Sequence, residues 1–264
     1  MRVESGAAGD AAEPADRERL RNTLEILVVL LVTFGLSGLS AVLSLVESAL
    51  APGGVGGRTV ALNPSRSAQS TIDLLYQLLG VLRLTGWAAL GLYLLWRGGI
   101  APRVIGLANR IRWRTDVLPG IALAAVIGVP GLALYLGAHA MGISVTIVPA
   151  SLGDYWWRLP ALILSACANS LAEEIIVVAF LLTRLRGLGW SANTALLTSA
   201  LLRGSYHLYQ GLGGGFGNLV MGLIFGRYWQ RTNRLWPLIF AHAAIDAIAY
   251  IGYTVLHDHV SWLP

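Results

Sequence analysis

The chain alternates between long apolar runs and short polar connections. Apolar runs occupy 24–50, 72–96, 117–140, 159–183, 192–209, 215–230 and 235–256, built mainly from Leu, Ala, Val, Ile and Gly. Most approach the roughly 20 residues that a helix needs to cross the hydrocarbon core of a bilayer. One such run could be the central helix of a soluble domain. Seven cannot, because too little polar surface is left to cover them. The pattern therefore predicts an all-α fold, a polytopic transmembrane helical bundle of seven spans, or eight if a re-entrant piece near 210–216 forms its own. Residues 1–23 are polar and predict a disordered tail, and residues 24–264 a single transmembrane domain. The run 24–50 is too long for the apolar core of a signal peptide, so it is expected to persist as the first span.

Composition agrees with this picture and charge orients it. The chain is 55% hydrophobic and 12% charged, about half the charge content of an ordinary soluble domain. The net charge of +5 could point to nucleic acid, but the arginines lie between the apolar runs. They cluster in the tail (Arg17, Arg19, Arg21), in 97–116, after the fourth run (Arg184, Arg186) and after the sixth (Arg227, Arg231, Arg234). Connections 141–157 and 210–214 carry none, and 51–71 carries Arg58 and Arg66 alone. Alternating sides then puts the N-terminus in the cytoplasm and the C-terminus outside, in the cell membrane, with the bilayer as partner and no nucleic acid. The stretch around 104–114 reads as a short amphipathic helix on the cytoplasmic surface, and 51–67 as a flexible Gly/Pro/Ser-rich loop. The single Cys167 precludes an intrachain disulfide and reads as a small buried hydrophobe.

Against this background a few polar residues stand out. Glu173 and Glu174 are adjacent carboxylates inside the fourth run, where each charge is costly. Arg203 and His207 are four apart in the fifth, as are His242 and Asp246 in the seventh, so each pair shares a helix face. Asn218 in the sixth reads as a structural hydrogen bonder. A carboxylate can take a proton from water, a neighbouring imidazole can hold that water, and a second imidazole can stabilise an oxyanion. The same Glu173, His207 and His242 could instead ligate zinc as a His₂Glu set with an open position. Two further charges, Glu47 and Arg83, lie within the first two spans and are expected to pair, with Arg83 also a candidate partner for Glu174.

At these residues the chain resembles the CPBP family of intramembrane proteases, which includes CAAX prenyl endopeptidases, bacteriocin-processing proteins and Abi proteins. The family pattern is Glu-Glu-x-x-x-Arg, then Phe-x-x-x-His, then His-x-x-x-Asn or Asp. Glu173-Glu174, His207, and His242 with Asp246 match it, over a core of about 160–250. The resemblance implies an intramembrane endopeptidase acting on a membrane-embedded or membrane-proximal peptide. It implies that Glu173 and His207 activate water, that His242 and Asp246 stabilise the oxyanion, and that Glu174 supports them. Family members are usually called metalloproteases, and a metal-free, glutamate-activated water is the other mechanism proposed for them.

Two positions depart from the pattern: Val178 replaces the motif Arg and Arg203 replaces the motif Phe. An Arg at 178 would neutralise Glu174 from the same helix, and the expectation is that Arg203 supplies that cation from the next one. Two rival readings stand beside the protease. One is a non-catalytic scaffold or immunity-type pseudoprotease of the same fold. The other is a proton-coupled transporter, which would call for matched inverted repeats that the chain lacks.

Overall fold

The computed structural model describes residues 7–107, 110–257 and 259, with side chains from residue 16 onward. It is a helical bundle. The helices are α1 (Ala7–Val32), α2 (Phe34–Leu50), α3 (Ser70–Arg97), α4 (Trp113–Ala140), α5 (Arg158–Gly187), α6 (Ala192–Ser205), α7 (Gly211–Thr232) and α8 (Trp236–Leu256). Their ends follow local chemistry. Ser191 caps α6 by accepting from the Thr194 N–H at 3.1 Å, Pro237 opens α8, and Asn233 closes α7 in the left-handed region at φ 49°.

The core is built around α5. In its most apolar window 67% of residues are buried, against 17% for α3 and 6% for α4, so α5 is the axis and the others wrap it. The run Ile175–Leu182 is buried throughout and meets α3, α6 and α7. The outward faces of α1 to α4 carry exposed Leu and Val such as Leu31, Leu43, Leu79 and Val129, the surface a bilayer would cover.

Several expectations change. Helix α1 starts at Ala7, so it takes in residues 7–23 of the expected tail; residues 1–6 lie outside the described residues. There Arg21 pairs with Glu18 and Glu25 at helical spacing, and Glu25 reaches Arg184 of α5 at 2.6 Å. The first span is two helices bent by 48° at Thr33, whose hydroxyl turns back to the Val29 carbonyl at 2.6 Å. Among the described residues, four helices are long and apolar enough to cross a membrane, five if the bent pair counts as one; α6, with 14 residues, is too short on its own. Residues 211–216 form the first turns of α7 and not a separate re-entrant piece. No helix occurs in the described part of 100–112: residues 102–106 are turns, Ala108 and Asn109 lie outside the described residues, and Trp113 already begins α4. Cys167 is exposed on the outer face of α5.

Two strands also appear in connections read as loops. Strands β1 (Thr59–Pro64) and β2 (Thr146–Ser151) pair in parallel, with Thr59 opposite Thr146 and Asn63 opposite Ala150. Each carries β-branched residues, and α3 and α4 lie between them in the chain, the long crossover that a parallel pair requires. Asn63 donates to the Pro149 carbonyl and accepts from Ser165 of α5, tying the sheet to the end of the bundle where α5 begins.

Candidate active site

The carboxylate pair sits where α5 changes its winding. Regular α-helix runs Arg158–Glu173, and a wider π-type segment runs Glu174–Phe180. Such segments re-aim side chains and recur at functional sites. Ser199 of α6 donates to the Val177 carbonyl at 2.6 Å, so the widened segment is held by a neighbouring helix.

The two carboxylates have different surroundings. Glu174 is fully enclosed, and one of its oxygens takes both Arg203 Nη2 at 2.6 Å and His242 Nδ1 at 2.8 Å. Glu173 keeps slight exposure, accepts from the Tyr206 hydroxyl at 2.6 Å, and lies 3.8 Å from Arg203 Nη1. Arg203 is itself fully buried, with its guanidinium 5.6 Å from the centre of the Phe225 ring. Gly222 makes room for it: a Cβ there would fall 2.9 Å from Ala200 Cα and 3.3 Å from Arg203 Cδ.

The remaining groups complete the cluster from α5, α8 and the α6–α7 link. His242 Nε2 lies 3.6 Å from Asp246, and Asn169, one turn before Glu173, donates to Asp246 at 3.0 Å. Helix α6 stops at Ser205, short of the expected 209, so Tyr206 and His207 lie in the turn that leads to α7. His207 Nδ1 pairs with the Arg203 carbonyl at 2.9 Å, and the ring is near enough to Glu173 to interact electrostatically. Asn218 bonds within its own helix, to Gly214.

Glu173, Glu174, Arg203, His242 and Asp246 are therefore joined by short polar contacts, and His207 borders them. Sequence reasoning missed Tyr206 and Asn169. Neither type is unusual in a membrane helix, and the one available signal is that Asn169 is four residues before Glu173. The expected Glu47–Arg83 pair does not form. Glu47 pairs with Arg58 at 2.9 Å, because β1 brings Arg58 back beside the end of α2, and Arg83 stacks over Trp87 at 5.5 Å. Arg203, not Arg83, meets Glu174.

The zinc option does not fit these residues. Among the described residues no group of three His, Cys, Asp or Glu is placed to hold a metal ion. The Arg203 guanidinium sits 3.8 Å from Glu173, so a cation already lies beside the carboxylate that a dication would need.

The cluster lies wholly within α5 to α8, the part of the chain that also matches a known family. Residues 154–248 match the family described as Rce1-like, Type II CAAX prenyl endopeptidase Rce1-like. The match covers about a third of the chain and supports the resemblance to the CPBP family over that stretch. No curated protein matches the chain, and no solved structure matches it. The Rce1-like domain contains each carboxylate and imidazole of the cluster, while α1 to α4 and both strands precede it.

Proposed function

We propose that the protein is an intramembrane endopeptidase that hydrolyses a peptide bond at or near the bilayer. Glu173 is the general base. It takes a proton from a water molecule as the water oxygen adds to the scissile carbonyl carbon, and returns a proton to the leaving amine as the tetrahedral intermediate collapses. His207 orients the water. His242, held between Glu174 and Asp246, donates to the developing oxyanion. Glu174 has its charge met by Arg203 and positions His242. The observation that carries this assignment is the asymmetry of the pair: Glu174 is enclosed and doubly engaged, whereas Glu173 keeps slight exposure.

The same reading completes the topology. The short α6 and the glycine-rich α7 cross as a hairpin packed against α5, giving seven crossings with the N-terminus in the cytoplasm and the C-terminus outside, in the cell membrane. Residues 24–264 act as one transmembrane domain.

The test is cleavage of membrane peptides, prenylated and unprenylated, by purified protein in vesicles. Glu173→Ala and His242→Ala should each lower turnover by about 10²–10⁴-fold. Equal turnover by wild type and both variants would remove the protease reading and leave a non-catalytic scaffold of the same fold.

A further inference from the structure

Arg83 is a charge the mechanism does not use. It is the fourteenth of the 28 residues of α3, with about 20 Å of helix on either side. A hydrocarbon core about 30 Å thick centred on α3 would put each headgroup layer roughly 15 Å from Arg83. Its side chain is exposed on the outside of the bundle, and among the described residues no carboxylate pairs with it; its contact is the Trp87 ring. A guanidinium at this depth is costly unless it meets an anion.

The surface around it is uncovered. Helix α3 packs on α5, and α2 packs on α6 and the turn after it, but α2 and α3 do not pack along each other. They meet where Phe34, the first residue of α2, contacts Trp87 edge-on at 5.3 Å. Tyr76, Gly80, Arg83 and Trp87 recur at helical spacing on one face of α3. Tyr76 is 43% exposed, and a Cβ on Gly80 would meet nothing within 4 Å. One layer of buried side chains separates this face from the site: the Phe34 ring lies 4.7 Å from the Tyr206 ring, and the Tyr206 hydroxyl bonds to Glu173.

We propose that this face of α3 is where the peptide substrate docks, with Arg83 taking a carboxylate of the peptide while the scissile bond passes Phe34 and Tyr206 towards Glu173. The inference rests on the endopeptidase reading. Guanidinium and carboxylate are complementary in charge and in planar, two-pronged geometry. The carboxylate is either the peptide C-terminus or an acidic side chain close to it.

Full-length protein in phosphatidylcholine vesicles, given three fluorogenic apolar peptides, tests this. One has a free C-terminal carboxylate, the second is its C-terminal amide, and the third is the amide with a Glu among its last residues. Wild type should prefer the first to the second by about ten- to hundredfold in kcat/KM, mainly through KM. Arg83→Gln should bring that ratio close to one, and Arg83→Lys should keep part of it. Recovery of the preference with the third peptide assigns the contact to a side chain, and no recovery assigns it to the C-terminus. A wild-type ratio near one, or a preference that survives Arg83→Gln, overturns the proposal. So does Arg83-dependent stabilisation by anionic lipid without a peptide preference, which would assign the residue to the bilayer. Equilibrium binding of the same peptides to the Glu173→Ala protein separates the two readings. Arg83-dependent binding without cleavage by wild type sinks the endopeptidase and leaves the anion site standing. Cleavage without a carboxylate preference does the reverse.

Discussion

Arg203 holds the site together at the level of single residues. Its side chain is fully buried and its counter-charges are Glu174 at 2.6 Å and Glu173 at 3.8 Å. Removing one member of such a buried set leaves an uncompensated charge, so Arg203→Met should cost about 3–5 kcal/mol, read as a lowered midpoint of thermal unfolding in detergent. Adding Glu174→Gln to that background should recover part of the loss. If the double variant is less stable than the single one, Arg203 is not the counter-charge of Glu174. The identity of these groups was legible in the sequence, because ionisable residues in an apolar run are rare and costly. Their pairing was legible only in part. Arg203 met Glu174 as its place in the next run suggested, but Glu47 turned to Arg58, since that contact depends on a strand that hydropathy does not reveal.

At the scale of elements, the approach of α7 to α6 sets where Arg203 can lie. A Cβ on Gly222 would fall 2.9 Å from the Ala200 Cα, a backbone atom that cannot turn aside. Gly222→Ala should therefore force the helices apart and destabilise by about 1–3 kcal/mol. Gly217→Ala, on the same helix, meets Leu134 at an ordinary 3.5 Å and should be neutral or stabilising by about 0.5–1 kcal/mol from reduced backbone freedom. Thermal unfolding of the two variants side by side checks the contrast, and equal midpoints would count against close approach at Gly222. Helix positions could be read from the apolar runs, but helix breaks could not. A hydropathy window averages across Thr33, because the residues on both sides remain apolar, and the polar stretch from Arg203 to Gln210 is too short to separate the apolar runs around it clearly.

Across the whole molecule, one enclosed helix carries the carboxylate pair and the more exposed ones present apolar faces outward. The proposed orientation is checked by single cysteines in a Cys167→Ala background. Ala68→Cys, exposed before α3, should react with a membrane-impermeant maleimide on intact cells. Arg110→Cys, exposed before α4, should react only after permeabilisation. The opposite pattern would invert the orientation. The all-α bundle was the most legible feature, since long apolar runs recur along the chain. The sheet was the least legible, because each strand is six residues long and β1 is flanked by Gly, Pro and Ser.

That small sheet also sets an order of assembly. Its two strands are parallel and separated in the chain by α3 and α4, so β1 emerges during synthesis well before its partner exists. Asn63 has no Pro149 carbonyl to bond until α4 has been threaded back across the bilayer, and no Ser165 hydroxyl until α5 follows. This end of the bundle is thus stitched shut only after the helix that carries Glu173 has been added. A truncated chain that ends after α4 would leave this seam half-sewn.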